Sequence, residues 1–158
     1  MDSNRVGDRG GNVNYSRAGL GAVITGCVAG DFVQNNVINY TIDGQWNQLA
    51  ASNNRAFSSG SLPFSNNNIC LFAVWVSANN VFSTTQGKIV SSQDALSTGG
   101  KTVVPYPDVI SNAALIGLIK VKAGVGVTFT PGTTNLNASN ITTTYIDASG
   151  MPTVPFLS

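Results

Sequence analysis

The side chains that most often carry out acid–base or nucleophilic chemistry are scarce in this 158-residue chain. There is no histidine, and the seven acids are all aspartates (Asp2, Asp8, Asp31, Asp43, Asp94, Asp108 and Asp147), so glutamate is missing as well. Losing histidine removes the commonest general base and metal ligand at once, and with it any Ser-His-Asp or Cys-His site. A pair of carboxyl groups of the glycosidase type is the one acid–base arrangement left to consider. Yet Asp43 reads as part of a turn and Asp2 and Asp8 as part of a flexible arm. Asp31, Asp94, Asp108 and Asp147 fall at strand or loop ends, where capping a turn is the usual job. Cys27 and Cys70 are too few for a zinc site, which takes about four ligands. They read as two buried, reduced thiols, with a single Cys27–Cys70 bridge left open by their spacing. "GVGVTFTPG" has scattered glycines without the lysine-threonine pair of a phosphate loop. The sequence therefore predicts no enzyme, no metal and no cofactor.

Charge is scarce too. Only 9% of residues are charged, against roughly 25% in ordinary globular proteins. The surface must be covered instead by Asn, Ser, Thr, Gln and Gly. With 42% hydrophobic residues the chain can bury a core, which argues against intrinsic disorder. A net charge of +1 gives no electrostatic reason to expect nucleic acid or an anionic membrane as partner. No apolar run approaches a membrane span of about 18 residues or more. The start, "MDSNRVGDRGG", is polar and glycine-rich and does not read as a secretion signal.

The elements that would position any site read as strands. Glutamate and lysine, which favour helices, are absent or few, while Asn, Gly, Ser, Thr and Val suit turns and strands. Residues 1–19, with Arg5, Arg9 and Arg17 among Gly, Asn and Ser, lack apolar periodicity and read as an extended arm. The strands are expected to begin around "GAVITGCVAG" (21–30), whose glycines suggest bends or close backbone approach. In 37–50, "VINYTIDGQWNQLA", a period of two is followed by Asp43-Gly44, which supplies the two positive φ values of a type I′ hairpin. Residues 51–68 read as a polar loop. Ile69–Val76 reads as a strand buried on both faces, turned at Asn79-Asn80 and returning over 81–90. Residues 91–112 read as a connection with one helical turn at Gln93–Leu96. Leu115–Val121, Val127–Thr130 and Ile141–Asp147 are further strands, and "MPTVPFLS" is a short tail ending on Phe156 and Leu157. The prediction is an all-β chain of about eight to ten strands: a single-domain antiparallel β-sandwich or small barrel over 20–158, with an extended arm over 1–19. Trp75 belongs to the core. Trp46, just after a tight turn on a polar strand, is the aromatic residue expected at the surface as a contact residue.

"AALIGLIKVKAGVGVTFTPGTTNLNASNITTTYID", with "YTIDG", "CLFAVWVSANN" and "TTQGKIV" upstream, resembles small structural proteins of tailed-bacteriophage virions, of the head decoration (cement) type. The resemblance covers roughly residues 39–150. It implies a protein made in the bacterial host cytoplasm and placed on the capsid surface, binding the major capsid protein and its own copies, as a homotrimer or a dimer. It implies that Pro131 and Gly132 turn the chain after Phe129. Thr133, Thr134 and Asn135 then open a loop running to Asn140 that offers neutral hydroxyl and amide groups to a neighbour. The Arg5, Arg9 and Arg17 arm and the Phe156-Leu157 tail would tie a subunit to the shell. A tail fibre or tail-associated module recognising a host surface glycan is the alternative, and there Trp46 would matter.

Overall fold

The computed structural model describes residues 12–22, 24–92 and 104–149. Thirteen strands lie within them: β1 Val13–Asn14, β2 Leu20–Gly21, β3 Phe32–Gln34, β4 Ile38–Ile42, β5 Gln45–Leu49, β6 Ser52–Arg55, β7 Phe64–Ser65, β8 Asn68–Ser77, β9 Phe82–Gln86, β10 Val90–Ser91, β11 Ala113–Ala123, β12 Thr128–Phe129 and β13 Ile141–Asp147. All pairings are antiparallel. The chain is all-β, as its composition predicts. Four sheets result, in the orders β1-β4-β5, β2-β3-β6, β12-β7 and β10-β8-β11-β13, with β9 also pairing β8.

The hairpins form where turn chemistry places them. Asp43 and Gly44 have φ of 49° and 76°, and Ile42 pairs directly with Gln45. Asn79 and Asn80, at φ 62° and 61°, turn β8 into β9, because asparagine tolerates the left-handed region better than most residues. The Tyr40 hydroxyl, 3.0 Å from Ser77 O and 2.8 Å from Asn80 Oδ1, ties that turn to β4.

β8 is buried on both faces. Cys70, Phe72, Val74 and Val76 enter the main core, while Ala73 and Trp75 join Ala113, Leu115 and Ala148 in a second cluster behind. Its partner β11 carries an irregularity between Leu115 and Gly117, where one residue has no opposite number. An extra residue shifts the side-chain phase by one. Ala114 and Ile116 therefore face the main core before it and Ile119, Val121 and Ala123 after it, leaving Lys120 and Lys122 on the other face.

Three segments differ from the sequence reading. The strand expected over 21–30 is confined to β2, and the described residues from 24 to 31 turn instead, with Gly26 and Gly30 at φ of 90° and 84°. Ile24 and Val28 stand exposed, so their apolar character does not mark a core strand. The loop expected over 51–68 contains β6, whose polar side chains fit a strand at a sheet edge, and β7. Of the arm expected over 1–19, residues 12–19 are described. Val13 and Asn14 pair with β4, and Asn14 and Ala18 are fully buried. The remainder of that arm, the helical turn expected at Gln93–Leu96 and the tail from residue 150 lie outside the described residues.

Asp147 holds the described N-terminal segment to β13: its carboxylate accepts the N–H groups of Gly19 and Leu20, both at 3.1 Å. Gly30 makes a closer approach. A Cβ there would lie 2.3 Å from backbone atoms of Gly132 and Thr133, and its N–H donates to Asn135 Oδ1 at 3.1 Å. Gly30→Ala is expected to lower stability by at least about 2 kcal/mol, from left-handed strain plus the collision, or about 4–8 °C in Tm. Gly60→Ala, also at positive φ but with nothing within 4 Å of the new Cβ, supplies the strain-only control in the same thermal melts. Equal losses for the two would show that the Gly30–Gly132 contact is unimportant.

Candidate functional site

The sheet β1-β4-β5 turns Ile38, Tyr40 and Ile42 inward, so its other face carries the alternate residues. Val13 opposes Thr41, which opposes Trp46; Asn39 opposes Gln48, and the Tyr15 N–H donates to Asn39 O at 2.9 Å, continuing the ladder. The result is a grid two residues deep and three strands wide. Tyr15 and Trp46 occupy opposite corners, with ring centroids 4.9 Å apart and planes inclined at 31°. They are 51% and 70% exposed, whereas Thr41 between their strands is only 4% exposed although it points away from the core. Gln48 Nε2 donates to Asn39 Oδ1, and the Asn39 N–H and Nδ2 point at Ser16 Oγ. Trp46 thus lies at the surface, and the structure adds a stacking partner that sequence reading assigned to an irregular arm. The signal was the alternation Val13-Asn14-Tyr15, whose middle member is buried.

The loop after β12 is wired inward as well as exposed. The Thr130 N–H donates to Thr134 Oγ1, the Thr133 and Thr134 N–H groups return to Thr130 O, and Thr143 Oγ1 donates to Leu136 O. Leu136 is buried in the main core. Of the predicted contact residues, Pro131 and Thr134 are half-buried, and Thr133 and Asn135 are exposed. The Asn135 Oδ1 is already engaged by Gly30. Arg17 is exposed, and its carbonyl accepts from Asn36 Nδ2. Arg5, Arg9, Phe156 and Leu157 lie outside the described residues.

β13 forms one edge of the largest sheet. The Ala148 N–H bonds to Ile116 O and the Gly124 N–H to Asn140 O, which fixes the alternation: the even-numbered residues between them turn their backbone groups toward β11. The N–H and C=O of Thr143 and Tyr145 therefore point outward, and no described residue pairs with them. Thr142, Thr144 and Ile146 are exposed. The opposite edge is partly covered from within the chain. Ser58 N–H and Thr84 Oγ1, and Thr84 N–H and Ser58 Oγ, form a reciprocal pair at 2.8 Å each. The Gln86 amide likewise exchanges two bonds with the backbone of Leu62, at 2.6 and 2.8 Å. A groove of about 530 Å³ runs between this loop and β9, but these bonds already occupy its Ser58, Thr84 and Gln86 groups.

No set of three or more Cys and Asp side chains able to hold a metal occurs among the described residues. Asp43 sits in its turn and Asp147 holds two N–H groups. Burial pushes the Asp31 carboxyl above the usual carboxylate range. Asp94 lies outside the described residues. Comparison with protein-family models, with curated proteins and with solved structures finds no match to this chain.

The two cysteines are free and unlike. Cys27 was expected to be buried; it is half-buried in the turn that replaces the expected strand, with its thiol donating to Asn53 O. Cys70 is buried, and burial pushes its thiol up to about 11. Native protein at about pH 8 should therefore be labelled by a thiol reagent at Cys27, with Cys70 about a hundredfold slower or more until denaturant is added. Rapid labelling of both sites in the folded protein would contradict this burial.

The Tyr145 hydroxyl is buried without a hydrogen-bond partner among the described residues, and burial pushes it up to about 12. The folded state holds this proton more tightly than the unfolded chain, whose tyrosines ionise near 10. The associated stability is whole below about pH 10 and is lost as pH rises toward about 12. Tyr145→Phe should flatten that alkaline decline in denaturant titrations while leaving stability at pH 7 unchanged or slightly raised, because it deletes an unpaired buried group. An unchanged alkaline slope would assign the decline elsewhere.

Proposed function

We propose that the chain is a virion structural protein of the head-decoration type, which binds the outside of a phage capsid and bridges and stabilises its subunits. The observation that carries this reading is the outer edge of β13, with which no described residue pairs. It presents outward backbone groups and three exposed uncharged side chains, and its one carboxylate, Asp147, is engaged within the chain. An unpaired edge recruits a strand from a neighbour by backbone hydrogen bonding. Low net charge leaves little long-range repulsion against such packing. The neighbours are the major capsid protein and further copies of this chain, as a trimer or a dimer. The "ITTTYID" that forms β13 also belongs to the stretch resembling decoration proteins. For the fold we propose a β-sandwich, supported by the way β3, β4, β12 and the core face of the β8–β11 sheet share one cluster of buried side chains.

A tail-associated binding module is the second reading, favoured by the exposed Tyr15–Trp46 pair. Copy number separates the two. Mass spectrometry of purified particles should give this chain in a small-integer ratio to the major shell protein. A few copies per particle would place it in the tail. Thr142→Glu with Thr144→Glu puts charge on the open edge opposite Lys122 and Lys120, where the fold tolerates it. The double variant should keep its melting temperature but bind particles about tenfold more weakly or worse. Unchanged particle binding would exclude β13 as the contact.

A further inference from the structure

We propose that the outer face of the β1-β4-β5 sheet is a binding site for a neutral glycan chain, with Trp46 and Tyr15 as stacking platforms and Gln48 and Ser16 as hydrogen-bonding partners. This goes beyond the assembly reading, because it concerns a different sheet from β13 and holds whether the chain sits on a head or a tail.

Four observations support it. First, a tryptophan that is 70% exposed is costly to leave in water without a use, and here a second exposed ring is held against it at 4.9 Å. Second, the backbone fixes both rings. Trp46 lies on a strand paired along its whole length with β4, and Tyr15 is held by its N–H to Asn39 O. A platform on paired strands loses little freedom on binding. Third, the face carries no charge. Val13, Thr41, Asn39, Gln48, Ser16, Tyr15 and Trp46 include no acid and no base of the Asp, Glu, Lys or Arg kind, so a charged ligand would find no counter-ion among them, while a sugar would leave none unpaired. Fourth, hydrogen-bonding capacity remains. Gln48 uses one Nε2 hydrogen on Asn39, leaving the other and its Oε1; Ser16 accepts from Asn39, leaving its own hydroxyl hydrogen to donate. A pyranose offers what this grid lacks: a C–H face for the rings and equatorial hydroxyls for the amide and the serine. The groove beside β9 has spent its Ser58, Thr84 and Gln86 groups on internal pairs and carries no exposed pair of rings.

The chain has two tryptophans, and Trp75 is fully buried, so any ligand-induced change in emission reports on Trp46. The test titrates the full chain with hexasaccharides of glucose, mannose and N-acetylglucosamine. At least one should give a saturable blue shift with a dissociation constant of about 0.1–10 mM. By calorimetry, Trp46→Ala and Tyr15→Ala should weaken binding about tenfold or more, and Gln48→Ala about threefold to tenfold, with melting temperature and particle binding retained. The proposal is overturned if no probe gives a saturable change up to about 20 mM, or if Trp46→Ala binds as well as the parent. It is also overturned if Trp46→Ala turns an oligomer into a monomer in sedimentation, which would make this face a contact between copies. Particle binding by the same variants is scored separately, so a failed glycan site leaves the β13 reading standing or falling on its own data.

Discussion

Six phenylalanine rings, Phe32, Phe57, Phe64, Phe72, Phe82 and Phe129, form one continuous cluster, with neighbouring centroids 4.8 to 6.5 Å apart. The rest of the fold depends on it. Sheets of two or three short strands are marginal by themselves, and three of the four sheets here are of that size. The cluster draws Phe32 from β3, Phe64 and Phe129 from β7 and β12, and Phe72 and Phe82 from β8 and β9, so three sheets share one set of contacts. The fourth sheet reaches the same core through Ile38, Tyr40, Ile42 and Leu49. Edge-to-face and tilted ring pairs contribute about 0.5–1.5 kcal/mol each beyond the area they bury. Arg55 lies over the Phe82 ring at 5.0 Å and sends its other donors to Gln34 and Ala50, joining the aromatic centre to the polar shell.

Apart from Arg55 and Asp147, that shell is built largely from neutral groups. Gln34 is fully buried and fully used, with its amide nitrogen on Asn36 O and Ala50 O and its oxygen on Arg55. Buried Asn14 spans from the Ser16 N–H to Ala148 O and so fastens the described start of the chain to the end of β13. Gln86 imitates a peptide group against Leu62. A neutral hydrogen bond contributes only about 0.5–1.5 kcal/mol net, but leaving a buried member unpaired costs about 1–3. Such bonds therefore select one arrangement more than they add stability. They also change little with pH or salt, which ion pairs would not.

What the sequence made legible were the elements with local signals. The Asp43-Gly44 hairpin, the Asn79-Asn80 turn, the buried run of β8 and the strict alternation of β13 each carry their evidence within about ten residues. β3 and β6 do not. β3 is three residues long, and β6 reads Ser-Asn-Asn-Arg, a strand by virtue of its partner and not its own propensity. In the "GAVITGCVAG" run the glycines signalled bends and a close backbone approach, as at Gly26 and Gly30, while the apolar residues around them misled toward a longer strand. Trp46 could be placed at the surface from its polar neighbours. Its contact with Tyr15 could not, since it depends on β1 lying beside β4. The threonine-rich loop could be read as uncharged, but not as the partner of Gly30, which lies 105 residues from Asn135.

The two edges of the largest sheet differ among the described residues. Proteins commonly protect an edge strand with lysine, proline or a bulge. β13 has none of these: its seven residues pair with β11 in unbroken register. The bulge of this sheet lies instead between β11 and β8, inside it. On the far side, Ser58 Oγ accepts the outward Thr84 N–H of β9 and the Gln86 side chain pairs with the Leu62 backbone, so part of that edge is covered from within the chain. Among the described residues, the outward backbone groups of Thr143 and Tyr145 thus lack the side-chain partner that Ser58 gives the Thr84 N–H on the other side. In a chain with a formal net charge of +1, long-range self-repulsion is weak, so the contrast between the two edges rests on hydrogen bonding and not on charge.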